Sequence, residues 1–262
     1  MKSILLASGA LLAVPVIALA DPPPQGWSGS GELGLAIASG NTKSQNLNAK
    51  IDLKYNDDFW KGDFYVTAQR NKANVTDAAT GKSRYDLTAN RYETGASVGY
   101  KFDARSYIVG ALRYEHDQFS PYDYQYTASI GYGYQVLKSD TNQLSVEIGP
   151  GYKVQQPTSY YAANPSPPPD TIEIRPDSNS NAVLRGKIDY KHTFNKTTAF
   201  VDTFVLEAGS GNKFYQNDAG LSVKMNDDLA LKVGYQVRHN SQVAAGFKKT
   251  DQLLTTNLVY SF

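Results

Sequence analysis

The dominant pattern along the chain is alternation of apolar and polar residues, which places successive side chains on opposite faces of an extended backbone. In "QLSVEIGPGYKVQ", Leu144, Val146, Ile148, Pro150, Tyr152 and Val154 share one face, and Ser145, Glu147, Gly149, Gly151, Lys153 and Gln155 the other. "LALKVGYQVRH" repeats the split, with Leu229, Leu231, Val233, Tyr235 and Val237 against Ala230, Lys232, Gly234, Gln236 and Arg238. "YQYTASIGYGYQV" follows it too, and "NLNAKIDLKY", "WKGDFYVTAQ" and "AVLRGKIDYKH" do so more loosely. The closing segment "TTNLVYSF" continues a ladder with Leu254, Leu258 and Tyr260 on one face, and it finishes on Phe262.

Short polar turns at 56–58, 103–105, 138–142, 195–196 and 226–228 alternate with breaks that are often longer, at 72–84, 157–180, 209–213 and 240–248. The ladders sum to about twelve antiparallel strands, an even number that puts both termini at the end with the trimmed turns. Such a strand content is far above that of ordinary soluble domains and is expected of a closed barrel. The predicted fold class is therefore all-β, an antiparallel transmembrane β-barrel whose last strand closes the ring against "WSGSGELGLAIAS".

A soluble sandwich or lipocalin would bury the apolar flank. Three features favour the reverse. Aromatics gather at the ends of the apolar faces, with Trp27, Tyr55, Trp60, Tyr100, Phe102, Tyr190, Tyr260 and Phe262 toward the trimmed end and Tyr114, Tyr122, Tyr124, Tyr126 and Tyr152 toward the other, as in the girdles at membrane interfaces. The polar face mixes small residues with charges of both signs, which suits a narrow interior. A ring in lipid also leaves no unpaired edge. One strand fits neither facing: in "TAFVDTFVLEA", Asp202 shares a face with Phe200, Phe204 and Leu206.

Composition adds the compartment. "MKSILLASGALLAVPVIALA" has a basic tip, an apolar run and small residues at Ala18 and Ala20, so residues 1–20 read as a cleaved signal peptide, followed by a Pro-rich linker at 21–26 and the barrel at 27–262. The 262-residue chain has no cysteine, which removes disulfides and thiolate metal sites. Its 26 basic residues, Lys2 of the leader among them, face 25 acidic ones, so bulk attraction to nucleic acid is not expected. The mean hydropathy of −0.44 and the lack of a long apolar run after Ala20 exclude a transmembrane helix beyond the leader, but not strands, of which only alternate residues need be apolar.

The charges on the polar faces are the candidate functional residues. Arg113, Glu115 and Asp117 are expected to line the lumen on one ladder. Glu147, Lys153, Arg185, Lys187, Asp189, Lys191, Lys224, Lys232 and Arg238 are expected to line it in the carboxyl-terminal half. As a set they suggest a narrow passive channel whose basic wall favours small anionic solutes. Salt bridges that plug a structural envelope barrel are the alternative, since buried charges are usually paired. An outer-membrane lipid-modifying enzyme is a distant third: it needs a histidine beside a serine, His239 with Asn240 and Ser241 adjacent is the one candidate, and sequential neighbours on a strand point to opposite faces.

Other motifs have plainer readings. "GSGELG" matches a dinucleotide-binding spacing, but no helix is expected to follow it. Asp57 with Asp58, and Asp227 with Asp228, read as turn residues rather than calcium ligands. Neither a metal nor a cofactor is expected. Lys72, Lys82, Arg84, Arg175, Lys213, Lys248 and Lys249 in the long breaks could meet lipopolysaccharide phosphates, or simply be solvated.

"GWSGSGELGLAIASGNT", "YEHDQF" at 114–119, "GYGY" at 131–134, "EIGPGY" at 147–152 and "KKTD" at 248–251 occur in that order and together resemble the YdiY-like family, described as salt-induced outer-membrane proteins of undefined function. The resemblance spans nearly the whole mature chain, is weakest at "PSPPPD", and implies an outer-membrane barrel with no catalytic residues to carry over. The terminal strand also resembles the signal by which bacterial outer-membrane barrels are recognised, which gives that role to Tyr260 and Phe262. The implied partners are outer-membrane lipids, lipopolysaccharide and the barrel assembly machinery.

Overall fold

The computed structural model describes residues 25–38, 43–76, 80–163, 170–243 and 248–262; the leader and residues 21–24 of the linker lie outside them. Twelve strands form one closed antiparallel barrel: β1 (Gly26–Ala38), β2 (Ser44–Asn56), β3 (Trp60–Thr76), β4 (Ser83–Lys101), β5 (Ser106–Asp117), β6 (Tyr122–Lys138), β7 (Asn142–Pro157), β10 (Asn179–Thr193), β11 (Thr198–Gly209), β12 (Phe214–Lys224), β13 (Leu229–Asn240) and β14 (Thr250–Ser261). β8 (Tyr160–Ala163) and β9 (Thr171–Ile174) make a separate two-stranded sheet within the long connection from β7 to β10, a break in which no strand is expected. Residues 165–169 of "PSPPPD" lie outside the described residues.

The expected closure is present. β14 pairs with β1 from Ser30 opposite Ser261 to Leu33 opposite Leu258, and Gly29 and Phe262 exchange backbone hydrogen bonds of 2.8 and 3.0 Å. The Phe262 ring lies across Gly29, where an added Cβ would sit 2.6 Å from ring carbons. Glycine at that position thus makes room for the terminal aromatic that locks the first strand to the last.

The facing is inside-out. Ile148, Tyr152, Val233 and Leu258 are about half exposed on the outer surface, whereas Glu147, Lys153 and Arg238 are 5%, 1% and 4% exposed inside. Aromatic pairs band the trimmed end, as in Trp27 with Tyr55 and Trp60 with Tyr100, both at 5.2 Å. Tyr114, Tyr124 and Tyr126 stack in series toward the other end.

Two details correct the expectation. The break at 72–84 is shorter, because β3 and β4 continue to pair as far as Thr76 opposite Ser83, past a register shift at Asn71/Lys72. Lys72 and Arg84 are therefore strand residues, in a hairpin whose backbone ladder outlasts its hydrophobic alternation. Asp202 also receives a facing: Val201, Thr203, Val205 and Glu207 pair with inward positions of β10, so Asp202 points outward, where its carboxylate accepts a 2.8 Å hydrogen bond from the Asn217 amide. That partner, also facing outward, relieves part of the cost of a polar group on the lipid side.

The trimmed turns use side-chain caps. Asp57 accepts hydrogen bonds from the Trp60 and Phe59 N–H groups at 2.6 and 2.8 Å and from the Tyr55 hydroxyl at 2.8 Å. These donors, Trp60 foremost, hold its carboxyl below its ordinary value of 3.8. The cap should therefore be complete above that value and be lost as pH falls through the lower folded one, read as weakening protection of the Phe59 and Trp60 amides in an acid titration. Val233→Lys, which places a charge in lipid, is expected to cost up to about 2–4 kcal/mol in urea unfolding from vesicles if it lies near the midplane. Lys232→Gln should cost less, and equal costs would contradict the facing.

Candidate functional site

The interior is built from the polar flank of every strand. Inward glycines on β4 and β6 admit large rings from adjacent strands: a Cβ at Gly95 would overlap Tyr65, and one at Gly133 would overlap Tyr107. Both tyrosines present their hydroxyls to glutamates, Tyr65 to Glu93 at 2.8 Å and Tyr107 to Glu147 at 2.9 Å. Small residues on one strand thus fix where the carboxylates of the lumen stand.

A layer of buried charge spans the ring on the side of the long connections. Arg113 of β5 donates to Glu93 at 3.2 Å and to Glu115, and it lies 3.6 Å from Glu207 of β11. Arg238 of β13 reaches Glu115 at 2.6 Å and lies 3.9 Å from Asp117. Lys153 of β7 pairs with Glu207 at 2.8 Å, and Arg91 of β4 donates to Gln236 of β13 at 2.7 Å. Phe214 sits among three of these cations, its ring centroid 4.5 Å from Arg113, 5.1 Å from Lys153 and 5.2 Å from Arg238. The ring face attracts cations, so one apolar side chain completes the layer without needing hydrogen bonds.

A second set lies closer to the trimmed end. Glu147 takes Lys61 at 3.6 Å and Arg185 at 3.7 Å, while Lys187 pairs with Asp189 at 2.8 Å and Thr203 donates to Asp189 at 2.9 Å. Near the closing seam Lys232 pairs with Glu32 at 2.8 Å, and Asp52 lies between Lys50 at 3.2 Å and Lys54 at 3.4 Å. A cavity of about 400 Å³ is bounded by these groups, and seven acidic and seven basic residues line it.

The structure therefore brings together Arg113, Glu115, Asp117, Lys153 and Arg238 in one layer, and Glu147, Arg185, Lys187 and Asp189 in the other. Lys191 and Lys224 are exposed toward the trimmed ends of β10 and β12, with no ion pair among the described residues. Along the cavity there is no excess of cations to make a basic wall. Two cations of the carboxyl-terminal strands, Lys232 and Arg238, find their acids on β1 and β5, which a strand-by-strand reading of one half does not register. Glu93, Glu207 and Phe214 were absent from the sequence-based set. Glu207 becomes visible once Asp202 is turned outward, since the two differ in parity. Phe214 carries no signal, because an inward aromatic looks like an outward one of slipped register.

The remaining motifs are absorbed by the fold. "GSGELG" is part of β1, paired with β2 throughout and with β14 as far as Leu33. His239 meets the Thr250 hydroxyl at 2.9 Å, and the Ser241 hydroxyl accepts the Lys213 N–H at 2.9 Å. Arg84 and Arg175 pair with Asp86 at 2.7 Å and Glu173 at 3.1 Å on the surface.

Comparison with known proteins agrees with this architecture. The model of the family described as "Protein of unknown function, DUF481" matches residues 31–262. The chain is 25% identical over 237 residues to "Uncharacterized protein YdiY" of Escherichia coli (strain K12), covering 90% of this chain and 83% of that protein. The translocator domain of autotransporter NalP from Neisseria meningitidis superposes with a TM-score of 0.51 at 9% identity, covering 92% of this chain and 90% of that one. The NanC porin gives 0.44 at 11% identity, covering 90% and 97%. At such identities the likeness to NalP concerns the fold, a closed barrel of the outer-membrane kind. This barrel, with charge inside and aliphatic side chains outside, belongs to the DUF481 family, in which YdiY is its relative.

Proposed function

We propose that the protein is a narrow channel for small polar solutes across a bacterial outer membrane, and that its resting state is shut by the Arg113–Glu115–Arg238 layer. The observation that carries this reading is the bridging of the lumen by ion pairs between strands far apart around the ring, Arg238 with Glu115 and Arg113 with Glu207, with a cavity of about 400 Å³ beside them. In this reading the trimmed turns face the periplasm and the elaborated connections face outward. Tyr260 and Phe262 present the closing strand to the assembly machinery, and the basic residues of the connections meet lipopolysaccharide. The balanced lining argues for polar rather than specifically anionic solutes, and the reading involves no catalytic step.

Buried ion pairs contribute little net stability over packed apolar side chains. A barrel that needed only a filled interior could use aliphatic residues at 93, 113, 115 and 238. Charged groups instead leave a path that becomes wet when the pairs separate. The pairing of Lys153 with Glu207 and of Arg238 with Glu115 favours a second reading, a non-conducting structural barrel.

In planar bilayers the wild-type protein should be silent or open briefly at low voltage, and Arg113→Ser should give steady stepwise current with weak charge preference. Silence in both would assign the protein to the structural reading. The pairing itself is tested by a double-mutant cycle. Glu207→Leu alone leaves Lys153 buried without its partner and should cost about 3–5 kcal/mol, most of which Lys153→Met/Glu207→Leu should restore in urea unfolding from vesicles. Equal losses in the single and double variants would mean that the pair does not hold the layer.

A further inference from the structure

The seam that closes the barrel is paired over only part of its length. β1 pairs with β2 along all thirteen residues, Gly26–Ala38, but with β14 only from Ser30 to Leu33, besides the Gly29–Phe262 bonds. β14 in turn pairs with β13 from Leu229 opposite Tyr260 to His239 opposite Thr250. Antiparallel strands direct alternate N–H groups to alternate neighbours, so the exchange between Gly29 and Phe262 aims those of Leu35 and Ile37, and of Leu254 and Thr256, into the seam. Among the described residues none of these four has a partner there. Without ladder pairs beyond Leu33 and Leu258, no backbone pairing holds this stretch of seam shut, although a group left without any partner in hydrocarbon costs several kcal/mol.

Side chains, not backbone, hold the fork. Lys232 pairs with Glu32 at 2.8 Å, Asn257 donates to Glu32 at 3.1 Å, and Asn48 donates to Asn257 at 2.6 Å. Their amides fill the space over Gly34, where an added Cβ would lie 2.7 Å from the Asn48 amide nitrogen. These same residues, with Thr255 and Leu253, line the lumen cavity, so the cavity lies directly behind the unpaired seam. Outside, Leu33, Leu35, Ile37 and Leu254 stand exposed toward lipid.

We propose that the β1–β14 seam, on the side of the long connections, is a lateral portal through which a single-chain amphiphile with a zwitterionic head passes between the membrane and the lumen cavity. The latch offers an ammonium and a carboxylate side by side, which match a head carrying both signs, while the aliphatic lips accommodate the chain. The proposal stands on strand pairing and not on conduction, so a silent bilayer recording leaves it intact.

Two measurements on the full chain test it. In lipid nanodiscs, amides of Leu35, Ile37, Leu254 and Thr256 should exchange at least about tenfold faster than those of Gly31, Leu33, Leu258 and Tyr260; equal protection along the seam overturns the portal. The probe for passage is lysophosphatidylethanolamine with a diazirine at the head end of its chain. It should label lumen-facing Leu253 and Thr255 in the wild type. Labelling should be lost in oxidised Ala36→Cys/Thr255→Cys, scored at Leu253, and return on reduction, the absence of native cysteine keeping the lock specific. Labelling confined to outward residues, unchanged by the lock, contradicts the proposal. So does protection of the seam amides by a bound polypeptide strand in native membranes. Should the double-cysteine variant fail to assemble, the wild-type exchange pattern and labelling map still decide.

Discussion

Inside a bilayer no water is available to hydrogen-bond a peptide group, and this constraint governs the whole molecule. It explains why β14 is fastened to β1, with the backbone bonds and ring of Phe262 set against Gly29. It also gives meaning to the seam, where the ladder stops short. Past Leu33, β1 and β14 run on without pairing, and the barrel relies there on Glu32, Asn257 and Asn48 inside the lumen.

The second organising force is charge that cannot face lipid. Once the aliphatic flank is committed outward, arginines, lysines and glutamates must share a narrow interior and neutralise one another there. They do so between strands distant in sequence: Glu115 with Arg238, Glu32 with Lys232, Lys153 with Glu207. The lumen therefore ties the amino-terminal strands to the carboxyl-terminal ones independently of the backbone seam. Closure and plugging thus draw on the same inward flank, with Glu32 and Lys232 at the seam and Glu115 and Arg238 across the lumen.

Much of the fold was legible because lipid and lumen impose opposite chemistry on adjacent residues. Leu144 to Val154 and Leu229 to Arg238 announce a strand by parity, the aromatic girdles and the mixed charges of the polar flank then tell lipid from lumen, and the five trimmed turns set the strand count. Where chemistry does not alternate, parity is silent. Asp202 hid the facing of β11 until Asn217 supplied a partner, and with it hid Glu207. The polar tips of β3 and β4 looked like a loop, since backbone pairing there needs no apolar face. The site was legible as a set of inward charges but not as a set of pairs, because which acid meets which base depends on the order of strands around the ring. Single ladders therefore suggested a basic wall where the closed barrel has a balanced one.

The central claim is the direction of each flank, and accessibility along β13 tests it most directly. Nitroxide labels placed singly at positions 231 to 238 of this cysteine-free chain, in lipid vesicles, should collide readily with membrane-dissolved oxygen at Leu231, Val233, Tyr235 and Val237 and little at Lys232, Gly234, Gln236 and Arg238. High oxygen contact at the charged positions, or no period of two, would contradict the account.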